Sequence, residues 1–118
     1  MTFDPAARLQ FFHDAINALD FDTIEACFAR DAVYLSGGTG DKTGRDAIMA
    51  AFRTYFDVYG DQVASNDKVE TLGPHRARSF WRLRASHGET GEPLVRQGIE
   101  TITFNDAGLI TEVLVEDR

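Results

Sequence analysis

Hydrophobic positions change their period once along this chain, from helical spacing in the first half to alternation in the second. Leu9, Phe12, Ile16 and Leu19 recur at helical spacing, a pattern of about four turns. Asp4 precedes them as N-cap, and Pro5 takes the first helical position, where its missing N–H costs nothing. A second, shorter helix is predicted from Asp22, with Glu25 three residues on as in a capping box and Ile24, Cys27 and Phe28 as a narrow apolar stripe. Asp31 to Ser36 reads as a short strand, favoured by Val33, Tyr34 and Leu35, and a Gly-rich loop follows. A third helix is predicted from Arg45 to Tyr59, with Ile48, Phe52, Tyr55, Phe56 and Tyr59 inward and Gly60 as its stop.

Beyond Gly60 the period is two. Gln62 to Leu72 contains one strand, and Gly73-Pro74 turns the chain. Ala77 to Ser86 alternates strictly, with Ala77, Ser79, Trp81, Leu83 and Ala85 on one side and Arg76, Arg78, Phe80, Arg82 and Arg84 on the other. Gly88 to Pro93 supplies a hairpin loop. Leu94 to Phe104 and Leu109 to Glu116 are two further strands, joined by a turn that ends in Gly108. Helices followed by antiparallel strands predict an α+β fold, with the helices on one face of a curved sheet.

With 118 residues, 43% of them hydrophobic, the chain suits one domain with a well-filled core. No apolar stretch approaches the ~20 residues that span a bilayer, and the N-terminus lacks the features of a signal peptide. No membrane partner is expected. The single Cys27 cannot form an internal disulfide, which fits a reducing, cytoplasmic setting. A formal charge of −7 disfavours nucleic acid as a partner. The stretch Ser36 to Gly44 looks like a phosphate loop, but Asp41 stands where that motif needs Gly before Lys42. No His, Cys or carboxylate pair has metal-ligand spacing, so neither metal nor cofactor is expected.

Glu100 is the residue that points to chemistry. In Ile99-Glu100-Thr101-Ile102-Thr103-Phe104 it shares a face with Ile102 and Phe104. Burying an ionised acid without a partner costs several kcal/mol or more, so such a group shifts its pKa, finds a partner or serves a purpose. In one reading desolvation keeps Glu100 protonated and able to donate to a ligand or exchange a proton. In the other it is a structural carboxylate bonded to Tyr34, Trp81 Nε1 or an arginine such as Arg96. Asp117 falls on the inward row with Val113 and Val115, as a second carboxylate at a cavity mouth. His87 ends a strand on the inward parity and is a candidate proton carrier. His13 lies off the centre of its helix stripe and reads as a boundary residue. His75 sits in a turn.

Four segments resemble, in order and spacing, the SnoaL-like and ketosteroid isomerase-like members of the nuclear transport factor 2-like superfamily. They are Ala18 to Asp22, Phe28 to Val33, Gly44 to Ile48 and Ile102 to Ile110. The resemblance covers nearly the whole chain, residues 1–118, and implies a cystatin-like cone in which a bent, mostly antiparallel sheet wraps a long helix around an apolar cavity. It also implies dimers through the outer sheet face. There the strip Phe80, Ile99 and Leu114 is flanked by the Arg row and by Thr101, Thr103, Glu112 and Glu116, which suit cross-strand pairing. The three positions at which ketosteroid isomerases place a Tyr, an Asp base and a protonated Asp hold Phe12, Ser36 and Glu100. Two of the three groups are missing, so that isomerase mechanism is not expected. Phe12, Ile16, Tyr34, Phe52, Phe56, Trp81, Leu83, Ile102, Val113 and Val115 are expected to line or close the cavity, with Ser36 as a hydroxyl donor. Two functions stay open. One is a cofactor-independent isomerase, cyclase or dehydratase acting on a small, largely apolar molecule, with Glu100 as acid–base group and His87 or Asp117 as the second. The other is a non-catalytic ligand-binding or dimerising domain.

Overall fold

The structure is a computed structural model describing residues 3–37 and 40–118; Gly38 and Thr39 of the Gly-rich loop lie outside the described residues. Helix α1 spans Pro5–Asn17 and opens as expected, with Asp4 Oδ1 accepting from the Ala7 amide at 3.1 Å. It stops before Leu19, whose φ of 53° is left-handed. The second helix, α2 (Phe21–Ala26), starts earlier than the capping-box reading placed it. Asp20 is the N-cap, accepting from the Thr23 amide at 3.2 Å and from the Thr23 hydroxyl at 2.6 Å. Strand β1 (Phe28–Ser36) also begins earlier than predicted, because Phe28 already pairs with Ile110.

The two-residue strand β2 (Lys42–Thr43) leads into α3 (Arg45–Val58). Four long strands complete the chain: β3 (Val63–Gly73), β4 (Arg76–Ser86), β5 (Pro93–Phe104) and β6 (Ile110–Asp117). They form one six-stranded, unclosed sheet in the order β2-β1-β6-β5-β4-β3. Only β1 and β6 run parallel. The α+β architecture with helices on a curved, mostly antiparallel sheet is therefore present.

Irregular register bends this sheet. Asp67 is an extra residue between the pairs Asn66–Trp81 and Lys68–Phe80, and Leu72 is another between Thr71–Ala77 and Gly73–Arg76. Such bulges kink a strand and increase its twist. Helix α1 and helix α3 fill the hollow so formed, and Leu9, Phe12, Phe28, Ile48, Ile102, Ile110 and Val113 are almost completely buried there. No helix among the described residues is long and apolar enough to cross a membrane.

On the convex face two of the four arginines find acid partners in β3, and among the described residues none finds one in β5 or β6. Arg78 pairs with Glu70, and Arg82 Nε donates to Asp67 Oδ2 at 2.8 Å. Arg76 reaches Thr103 Oγ1 at 3.3 Å, the one contact of the kind the sequence predicted. Glu112 and Glu116 form no salt bridge among the described residues. Opposite-charge neighbours on the edge hairpin satisfy Arg78 and Arg82 first.

Candidate active site

The site is built on a polar ridge of α1. Gln10, His13 and Asn17 stand three and four residues apart, so they share one helix face, and that face meets β3. Asn17 ties the helix down, its amide donating to the Ala64 carbonyl at 2.8 Å and accepting from the Ala64 N–H at 3.1 Å. Gln10 Oε1 accepts from Asn66 Nδ2 at 3.1 Å. Between them His13 points at the sheet, and its Nε2 lies 2.7 Å from Glu100 Oε2.

This pair is the main departure from expectation. His13 does stand at the boundary of the core, part-buried, but it faces the sheet and pairs: its side chain is 12% exposed and that of Glu100 10%. The structural partners considered for Glu100 do not bind it. Arg96 instead binds Asp117, and Trp81 Nε1 has no hydrogen-bond partner. His13 Nδ1 meets the Asn66 amide, with Oδ1 at 3.2 Å and Nδ2 at 2.9 Å, so it can donate to the one or accept from the other. Asn66 thus serves either protonation state of the ring. Burial opposes a charge on His13, but the Glu100 carboxylate and its hydrogen bond, with Asn66 and Asp14 behind them, outweigh burial and raise the pKa. Glu100 Oε2 is committed to His13, whereas Oε1 has no hydrogen-bond partner among the described residues.

Both members of the pair border a cavity of about 130 Å³ between α1, α3 and the concave sheet face. An apolar void of roughly 150 Å³ is large enough to take up benzene. Of the residues expected at its wall, Ile16, Tyr34, Phe52, Phe56, Trp81, Leu83 and Val115 border it. Phe12, Ile102 and Val113 do not; they are fully buried in the packing behind the wall. Ser36 is also buried away from the cavity, its amide donating to Asp41 Oδ1 at 3.0 Å. Burial, with the Glu100 charge acting in the same direction, raises the pKa of the Tyr34 phenol, which keeps it a neutral donor.

Two further expectations are corrected. His87 belongs to the β4–β5 loop, where its Nδ1 accepts from the amides of Glu89 at 3.2 Å and Thr90 at 3.4 Å and its ring meets Tyr59 edge-on. It does not border the cavity. Asp117 does not border it either: 42% of its side chain is exposed, and its Oδ1 binds Arg96 Nη2 at 2.8 Å. Both have the parity expected of inward residues, but His87 lies past the end of β4 and Asp117, at the end of β6, turns to Arg96. His13, Lys42, Gln62 and Ala64 are wall residues that the alternation pattern did not select.

Fold and site together define a class: a helix-filled α+β cone with an acid–base pair facing an apolar cavity. The chain belongs to the SnoaL-like domain family, whose model matches residues 9–113. Solved structures agree on the fold. One, from Mycobacterium tuberculosis in complex with estradiol-17β-hemisuccinate, is 21% identical with a TM-score of 0.84, over 96% of this chain and 93% of that one. A computationally designed 17-OHP binder is 20% identical, with a TM-score of 0.84 over 97% of this chain and 93% of its own. The epoxide hydrolase/cyclase-like enzyme SalBIII, which has a role in pyran ring formation in the polyether salinomycin, is 13% identical with a TM-score of 0.83, over 95% and 88%. No curated protein matches the chain.

Proposed function

We propose that this protein binds a small, largely apolar molecule in its cavity and moves a proton on it, without a cofactor, through the His13–Glu100 pair. The observation that carries this reading is the free Glu100 Oε1 at an apolar wall, beside an oxygen already held by His13. Oε1 takes a proton from a carbon next to a carbonyl, and His13 holds the carboxylate in place and balances its charge. The same proton returns to another atom in an isomerisation; in a cyclisation the carbanion attacks a second carbonyl carbon of the ligand, the C=O π bond breaks, and the alkoxide takes the proton back from Glu100. A positioned proton-transfer group contributes typically ~10²–10⁴-fold. The neighbours bound to estradiol-17β-hemisuccinate or designed to bind 17-OHP support a cavity of this fold as a small-molecule site. SalBIII supports ring-forming chemistry in it.

The test is exchange of the α-protons of 2-tetralone in deuterated water, followed by proton NMR. The protein is expected to accelerate exchange, and Glu100→Gln to lower that rate by about 10²–10⁴-fold with binding retained. Binding itself is read from fluorescence, because the chain's single tryptophan, Trp81, stands in the cavity wall. If exchange is no faster with the unmodified protein than with Glu100→Gln, the catalytic role is lost and the non-catalytic binding domain remains.

The proposal extends to a homodimer through the convex sheet face. Phe80 pairs in register with Ile99, Leu114 lies one strand further, and all are half-buried rather than covered in the single chain. Ile99→Glu is expected to shift a dimer to monomer in sedimentation velocity. A dimer unchanged by that substitution would place the contact elsewhere.

A further inference from the structure

The cavity wall holds charge and polar atoms that proton transfer does not use. Lys42 and Arg96 both border it, and Glu100 is its only carboxylate. His13 already answers the Glu100 charge. Lys42 has no acid partner among the described residues. Arg96 is bound by Asp117 from outside the wall, yet only 18% of its own side chain is exposed against 42% for its partner. A chain of formal charge −7 therefore lines its apolar cavity with surplus positive charge.

Polar atoms accompany these cations. Trp81 Nε1 is buried without a hydrogen-bond partner among the described residues, Tyr55 Oη lies beside the Arg96 guanidinium, and both residues face the cavity. Trp81 is only 8% exposed, so its N–H is turned away from bulk solvent. The Arg96 guanidinium lies 5.4 Å from the Trp81 ring. Arg96, Gly98 and Glu100 alternate along one face of β5, which sets the Cα atoms of Arg96 and Glu100 roughly 13 Å apart. The indole of Trp81 covers Gly98 between them.

We infer that the ligand is an elongated apolar carboxylate, its carboxylate held by Arg96 and Lys42 and its uncharged end at His13–Glu100. The inference rests on the cavity reading above and adds the ligand's charge and direction. The hydrocarbon body lies along Trp81, and the donors of Trp81 and Tyr55 face its oxygen atoms. Asp117 already takes Arg96 Nε and Nη2, so the ligand carboxylate meets the remaining N–H groups of that guanidinium and pairs its charge with Lys42, an ion pair that an amide cannot form. Running the other way, the same molecule would set its carboxylate against Glu100, so like-charge repulsion selects the orientation.

Calorimetric titration with biphenyl-4-carboxylate and biphenyl-4-carboxamide at low salt separates the possibilities. The carboxylate is expected to bind about tenfold more tightly than the amide. Lys42→Gln and Arg96→Gln should each shrink that ratio several-fold, weakening the carboxylate more than the amide, and added salt should shrink it too. Equal affinity of the two probes, or a ratio that survives the Lys42→Gln/Arg96→Gln protein, overturns the anion site and leaves the apolar cavity standing. Failure of both probes with 2-tetralone still bound overturns the elongated ligand alone, and failure of all three removes the cavity reading as well.

Discussion

His13→Leu is expected to destabilise the protein by about 3–5 kcal/mol below pH 6.5, read from urea unfolding. The cost arises because Glu100, with a side chain only 10% exposed, loses its only hydrogen-bond partner among the described residues and the positive charge beside it. Removing both charges is a different experiment. His13→Leu/Glu100→Leu should recover most of the loss, since an apolar pair of similar volume needs no hydration. The pair also sets a pH dependence whose sign is fixed. The folded protein holds a proton on His13 more tightly than the unfolded chain does, with the ordinary value at 6.5. That stabilisation is complete below pH 6.5 and is lost as pH rises through the elevated folded value. In Glu100→Gln the sign reverses, because burial then acts on His13 with its main counterweight gone, and stability rises with pH over an interval that lies below 6.5 instead of above it. A His13→Leu protein within about 1 kcal/mol of the parent would mean that the pair is hydrated, and the proton-transfer proposal would lose its basis.

The strands were more legible in this sequence than the contacts between helix and sheet. Period-two alternation assigns a face directly, so Glu100, Trp81 and Leu83 could be placed on the concave side from spacing alone. A helix stripe gives only a direction, and a residue at its margin faces solvent or a neighbour according to what packs there. For His13 the neighbour is Asn66, 53 residues away, beside a bulge at Asp67 that only the run Ser65-Asn66-Asp67 marks, with neither Gly nor Pro. One signal was present. Gln10, His13 and Asn17 repeat at helical spacing next to the apolar stripe, which marks a polar ridge rather than scattered surface groups. The misplaced His87 and Asp117 show the converse limit. Parity survives to the end of a strand, but the hollow it points into does not.

Gly98 is where backbone chemistry and the cavity meet, and Gly98→Ala is expected to cost about 1–3 kcal/mol or more. A Cβ there would lie 2.3 Å from the Glu116 carbonyl oxygen and 2.7 Å from Trp81 Cζ2. Neither distance is tolerable, and the two neighbours differ in what they can do. The indole can tilt into the cavity; the carbonyl belongs to the backbone of β6, which pairs with β5 at this point. The substitution should therefore shift the emission of Trp81, weaken binding of an apolar ligand and lower the urea midpoint together. Adding Trp81→Phe removes the contact with Cζ2 and should restore only part of the stability, because the Glu116 carbonyl stays where it was. An unchanged emission spectrum with unchanged stability would show that the indole does not rest on position 98. The wall that separates the His13–Glu100 pair from Arg96 would then have a different shape. Absence of a side chain at position 98 is thus what lets a large aromatic lie flat on the sheet, and the flat indole leaves the cavity open.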